Sequence, residues 1–193
     1  MAGNSFPITN LLQNARDGVT FAMTVVDYAH HEVHEGSAYY VEGHATLSDT
    51  ETLTAKITTP DVAKQLHFEW VVQGTGEIDV ALYEDATGGM AGGTTIAPVN
   101  NNRNSTKGSS VVFVSGCTTS TAVGTQLHNW LSGQAGTKFV SATPSVAVRA
   151  DELVLKPNTT HLGEVISNST GNNVSFRAYW YEHTPKTGLK VAD

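Results

Sequence analysis

The feature that most limits how this chain can fold is a two-residue alternation of apolar and polar side chains, repeated in segment after segment. In 174–183, VSFRAYWYEH, Val174, Phe176, Ala178 and Trp180 fall on one side and Ser175, Arg177, Tyr179 and Tyr181 on the other. The segment 64–73 sets Leu66, Phe68, Trp70 and Val72 against His67, Glu69 and Val71. Segment 77–85 sets Ile78, Val80 and Leu82 against Asp79, Ala81 and Tyr83, and 51–60 sets Leu53, Ala55 and Ile57 against Thr52, Thr54, Lys56 and Thr58. A strand points successive side chains to opposite faces, so each segment reads as a strand with one buried face. No stretch carries a convincing apolar pattern of period 3.6 over three turns, and no fixed-period repeat points to a propeller or solenoid. About eight to ten strands at this spacing predict an all-β, antiparallel β-sandwich. Gly74-Thr75-Gly76 reads as a hairpin-type loop between two of them.

Residues 1–37 differ from the rest. Pro7, Gly18 and Gly36 punctuate them, and 20–29 is their only apolar run. They read as an N-terminal arm, which needs a partner surface to become ordered. Residues 38–193 read as a single β-sandwich domain with a long polar loop at 98–110. The net charge is −7 with only 11 Lys and Arg, and these are scattered. A nucleic-acid binder concentrates positive charge where phosphates sit, so nucleic acid is not an expected partner. A single cysteine, Cys117, excludes an intrachain disulfide and a Cys-rich zinc site. The first residues lack the basic and apolar regions of a signal peptide, and no apolar run of about 18 residues suggests a membrane-spanning helix.

The densest chemistry lies at His30-His31-Glu32-Val33-His34-Glu35-Gly36. The zinc-protease pattern His-Glu-x-x-His is missed by one residue. On a helix His30 and His34 would share a face; on a strand His30, Glu32 and His34 would, about 6–7 Å apart. Metal binding, acid–base work and a pH-linked assembly step are alternatives to a polar, interface-lining neck ending in a turn at Gly36. The neck reading is preferred. Asp79, Glu84, Asp85, Asp151 and Glu152 are the available carboxylates, with no spacing that marks a glycosidase pair. No Gly-x-Ser-x-Gly elbow occurs, and Cys117 among small polar residues reads as a buried or interface thiol. In the polar loop, Arg103 and Lys107 suit an acidic partner surface. His44, His67, His128 and His161 are dispersed, and only the fold could gather them. No catalytic, cofactor or metal site is assigned, and the chain is not expected to be an enzyme.

Several stretches, in this order, carry a resemblance: HEGSAYYVEGHATL (34–47), ITTPD (57–61), LHFEWVVQGTGEIDVALYED (66–85), NNNRNS (100–105), ADELVLKPNTTHLGEVISNSTGNNVSF (150–176) and YWYEH (179–183). Together they resemble a family of small virion proteins of tailed bacteriophages, the capsid decoration, head-fibre or cement proteins. The resemblance spans about residues 30–183. It implies a sandwich of jelly-roll type, made in the bacterial cytoplasm and carried on the outer surface of the capsid. The implied partners are the major capsid protein and further copies of the chain, a trimer being favoured over a dimer. Partner contacts are then expected at His30, His31 and His34 in the neck and at Asn102, Arg103, Asn104 and Lys107 in the loop. The competing functions are a receptor- or glycan-binding module of a phage fibre or tail, and a jelly-roll metalloenzyme using the histidines. Trp130 and Tyr83 are the aromatics to check for the glycan reading.

Overall fold

The computed structural model describes residues 28–61, 64–133 and 152–184. The greater part of the expected arm, residues 1–27, therefore lies outside the described residues. The first element among the described residues is a two-turn helix, α1 (Tyr28–Glu35), and strands follow it. These are β1 (Ala38–Leu47), β2 (Thr52–Thr58), β3 (Gln65–Gly74), β4 (Ile78–Glu84), β5 (Thr87–Gly89), β6 (Thr94–Ile96), β7 (Val99–Asn100), β8 (Val112–Ser115), β9 (Ser120–Ala122), β10 (Thr125–Ser132), β11 (Leu153–Leu155), β12 (Thr160–Ser167) and β13 (Asn172–His183).

Two antiparallel sheets face each other. One has five strands in the order β11-β3-β13-β1-β7, the other six in the order β10-β4-β12-β2-β8-β6; β5 and β9 form a separate ribbon. The expected all-β sandwich is the observed architecture. The core between the sheets is built from the apolar sides of the alternating segments. Tyr39, Val41, Phe68, Val72, Val174, Phe176 and Trp180 come from the five-stranded sheet, and Ile57, Ile78, Val80, Leu82, Phe113 and Val165 from the six-stranded one. Gly163 is required by this packing, because a Cβ there would lie 2.3 Å from the Trp70 ring.

The Gly74-Thr75-Gly76 loop is not a hairpin. β3 pairs with β13 and β11, whereas β4 pairs with β12 and β10, so these three residues carry the chain from one sheet to the other. The corner is held by Asn172, whose Oδ1 accepts from Gly76 N at 2.8 Å and whose Nδ2 donates to the Glu77 carbonyl at 3.1 Å. A glycine-flanked loop satisfies a hairpin and a sheet-crossing corner equally well; only the long-range partner β13 separates them.

The two outer faces differ. On the six-stranded sheet, Leu162, Val114 and Tyr83 are covered by Ala86, Met90, Cys117 and Val123 from the excursion between β4 and β10, forming a second small core. Cys117 is buried there, its Sγ 3.3 Å from Thr54 Oγ1. Among the described residues no comparable apolar cover lies over the five-stranded sheet, and its outward residues Glu42, His44, Ser175 and Arg177 are exposed.

Candidate functional site

The histidine segment is helical, and its geometry explains the polar loop as well. Gly36 has φ of 70°, its N–H donates to the Val33 carbonyl at 3.0 Å, and the Ser37 N–H donates to the Glu32 carbonyl at 2.9 Å. This is the double hydrogen bond by which a left-handed glycine ends a helix. Two terminal carbonyls of the helix take partners from the loop: Asn102 Nδ2 donates to His34 O at 2.9 Å and Lys107 Nζ to Glu35 O at 2.6 Å. Asn100 Nδ2 donates to both Gly36 O and Lys107 O, and Tyr39 Oη to both Gly36 O and Gly108 O. The loop is further tied to β13, because buried Glu182 accepts from Ser109 Oγ at 2.6 Å and from Ser110 N at 3.0 Å.

The fold thus brings the residues singled out in the neck and the loop into one corner. His30, His31, His34, Arg103, Asn104 and Lys107 are exposed, Asn102 is half-buried, and Asn102 and Lys107 serve as helix caps. His30 and His34 share a face, their Nε2 atoms 3.0 Å apart, while His31 Nδ1 lies 3.4 Å from buried Glu32. Asn104 N donates to Asn102 Oδ1 at 3.1 Å, which shapes the loop around Arg103. The glycine at the corner is demanding, since a Cβ on Gly36 would stand 2.2 Å from Ser105 Oγ. Gly36→Ala is expected to lower stability by about 1–3 kcal/mol. Urea unfolding monitored by circular dichroism would check this, and an unchanged midpoint would contradict the corner's role.

The open face of the five-stranded sheet is the other concentration of chemistry. Arg177 stands over two neighbouring tyrosines, whose ring centres are 6.2 Å apart; its guanidinium carbon is 5.5 Å from the Tyr40 ring centre and 5.7 Å from that of Tyr179. It donates to Glu42 through Nε and Nη2, and through Nη1 to Tyr179 Oη at 3.0 Å. Cation–π contact with both rings and its hydrogen bonds together hold the guanidinium in place. Beside it runs an open groove of about 440 Å³ bounded by Glu42, His44, Val71, Gln73, Ser175 and Arg177. Tyr83 and Trp130 do not belong to an exposed aromatic loop: Tyr83 packs on the second core, and Trp130 lies on β10 with its ring 6.5 Å from Trp70, edge to face.

Of the dispersed histidines, the fold gathers His67 with His183, a residue the sequence reading did not single out. Their Nε2 atoms are 2.9 Å apart, and His67 Nδ1 makes a short contact with Glu152 Oε1. Tyr181 Oη donates to the same Glu152 oxygen at 2.9 Å, and its ring stacks on His67 with centres 4.4 Å apart. Among the described residues no group of three or more His, Cys, Asp or Glu side chains is placed to hold a metal ion. Glu84 and Asp85 serve an ion pair: Asp85 Oδ2 is 2.8 Å from Lys156 Nζ, with Glu84 nearby at 4.0 Å. Asp151 lies outside the described residues.

His161 is fully buried, and neither ring nitrogen has a hydrogen-bond partner; Glu84 Oε2 is the near carboxylate at 3.6 Å from Nε2. Burial pushes its pKa below the ordinary 6.5, outweighing the opposing pull of Glu84 and Asp85. The unfolded chain therefore binds this proton more readily than the folded one. Stability is full above the ordinary imidazole value and falls as pH drops below it, by at most about 1.4 kcal/mol per pH unit from this group. His161→Leu is expected to remove that share of the slope. Urea midpoints compared at pH 7.5 and 5.5 would test it; equal pH dependence in both proteins would exclude His161 as the source.

No protein-family model, curated protein or solved structure matches the chain. Among the described residues no helix is long and apolar enough to cross a membrane.

Proposed function

We propose that this protein is a structural virion protein of a tailed bacteriophage, seated on the outer capsid surface and stabilising it, as the sequence resemblance implies. The observation that carries a surface-binding role is the outer face of the five-stranded sheet, where Glu42, His44, Ser175 and Arg177 are exposed and Arg177 is held over the Tyr40 and Tyr179 rings. Tyrosine and arginine dominate the centres of protein interfaces, and a side chain already held in place loses less freedom when a partner arrives. In this reading the occupant is the major capsid protein. A second contact region is the helix–loop corner with His30, His31, His34, Asn102, Arg103, Asn104 and Lys107. Repetition of a modest contact over a shell supplies avidity.

The jelly-roll type of sandwich belongs to the same reading, and the strand order supports it. With β1, β2, β3, β4, β10, β11, β12 and β13 taken as first to eighth, one sheet runs sixth, third, eighth, first and the other fifth, fourth, seventh, second. Jelly rolls are built from eight strands in two Greek keys, divided between two sheets.

Co-sedimentation with phage heads assembled without the protein tests the proposal. The protein should pellet with heads, and Arg177→Ala combined with Tyr179→Ala should reduce the bound fraction at least about tenfold. A protein that stays in the supernatant overturns it. Light scattering of the free protein should give a trimer or dimer if copies associate before docking. The groove beside Arg177 favours a second reading, a glycan-binding module, because it joins aromatic faces to Glu42, His44 and Gln73 as hydrogen-bonding groups. Binding on a glycan array that the same double variant abolishes, with no head binding, would select it.

A further inference from the structure

We propose that His67 and His183 form a two-histidine site for a divalent transition-metal ion of the zinc, nickel or copper class. The two residues come from neighbouring strands, where His67 is paired with Tyr181 and His183 with Gln65, so their side chains are diagonal neighbours on the outer sheet face. Their Nε2 atoms converge to 2.9 Å. With metal–nitrogen distances of about 2.0–2.1 Å, two imidazole nitrogens on one ion stand about 2.9 Å apart at a right angle and about 3.4 Å at the tetrahedral angle. An ion therefore enters with a shift of at most about half an ångström. Borderline metals of this class take neutral imidazole readily.

The surroundings of His67 are those of a metal-binding histidine. Its other nitrogen, Nδ1, faces Glu152, and a histidine that ligates through Nε2 characteristically donates its Nδ1–H to a carboxylate. That contact fixes the tautomer with the lone pair on Nε2. Tyr181 holds both partners, donating to Glu152 and stacking on the His67 ring. Without an ion, the two Nε2 atoms share a single hydrogen bond. With the ion bound, both Nε2 atoms give their lone pairs to it and His183 carries its proton on Nδ1. His67 keeps 16% of its side-chain surface in contact with solvent, which leaves an approach path. The described residues supply these two protein ligands, and further donors, water among them, complete the ion's coordination. The His30–His34 pair has a similar nitrogen separation of 3.0 Å, but it is exposed, and among the described residues no carboxylate is hydrogen-bonded to either ring.

The test is titration of the full chain with Zn²⁺ alone, followed by calorimetry and by imidazole ¹⁵N chemical shifts. One ion per chain should bind, shifting the His67 and His183 resonances together. His183→Gln should abolish that binding, Glu152→Gln should weaken it about 10–100-fold, and His30→Ala with His34→Ala should leave it unchanged. The ¹⁵N shifts are read on the unaltered protein, so a variant that fails to fold does not remove the test. Unshifted His67 and His183 resonances at millimolar Zn²⁺ overturn the proposal. So does binding that survives His183→Gln or disappears with the His30 and His34 replacements.

Discussion

Trp180→Ala is expected to lower the free energy of unfolding by about 3–5 kcal/mol. The indole is 2% exposed and belongs to the core between the sheets, with its ring 6.2 Å from that of Tyr39. Its Nε1 donates to Ser109 Oγ at 3.1 Å and to Glu182 Oε1 at 3.3 Å. Alanine removes the largest side chain of β13 and leaves a cavity bounded by both sheets, which rigid strands cannot close. It also withdraws a donor from a buried carboxylate. Urea unfolding would measure the loss, and a change below about 1 kcal/mol would be incompatible with a core position.

Glu182→Ala should be comparably damaging, by about 3–5 kcal/mol, for a different reason. Glu182 is 3% exposed yet charged, and it accepts from Ser109 Oγ, Ser110 N, Ser110 Oγ and Trp180 Nε1, with Lys64 Nζ at 3.7 Å. Hydrogen bonds to a charged acceptor are worth more than neutral ones, and removing the acceptor strands its donors in a place water reaches poorly. The damage should be local as well as global. Hydrogen exchange of the amides in 101–110 should quicken in Glu182→Ala while the β12 amides keep their order of protection. A variant that loses stability without faster exchange in the loop would show that Glu182 does not hold it. Glu182→Gln, which keeps one acceptor oxygen, should fall between the two proteins.

The strands were legible because side-chain alternation is local. The inward set read from 174–183, Val174, Phe176, Ala178 and Trp180, is buried in β13 together with the polar Asn172 and Glu182, and Leu66, Phe68 and Val72 are buried in β3 with Trp70 half-buried beside them. The helix Tyr28–Glu35 was not separable from a strand, because two turns hold too few apolar positions to display a period, and its stability comes from the glycine cap and the loop around it. The polar loop looked featureless for a related reason. Asn100, Asn102, Lys107, Ser109 and Ser110 act on carbonyls and a carboxylate that are distant in sequence, so their polarity gave no hint of their partners.

The sequence by itself determined which residues of β2, β3, β4 and β13 face the core and which face out, since that needs only the pleat of one strand. It therefore already placed Arg177, Tyr179, Tyr181 and His67 outward. Only the tertiary structure decided which strands lie side by side. That choice turned Gly74-Thr75-Gly76 into a corner between sheets, set Arg177 against Tyr40 and Glu42, and brought His67, Glu152, Tyr181 and His183 together. The physical reason is range. A side chain's direction follows from its neighbours in the chain, whereas the pairing of β3 with β13 joins residues about a hundred positions apart and is selected by the packing of the whole core.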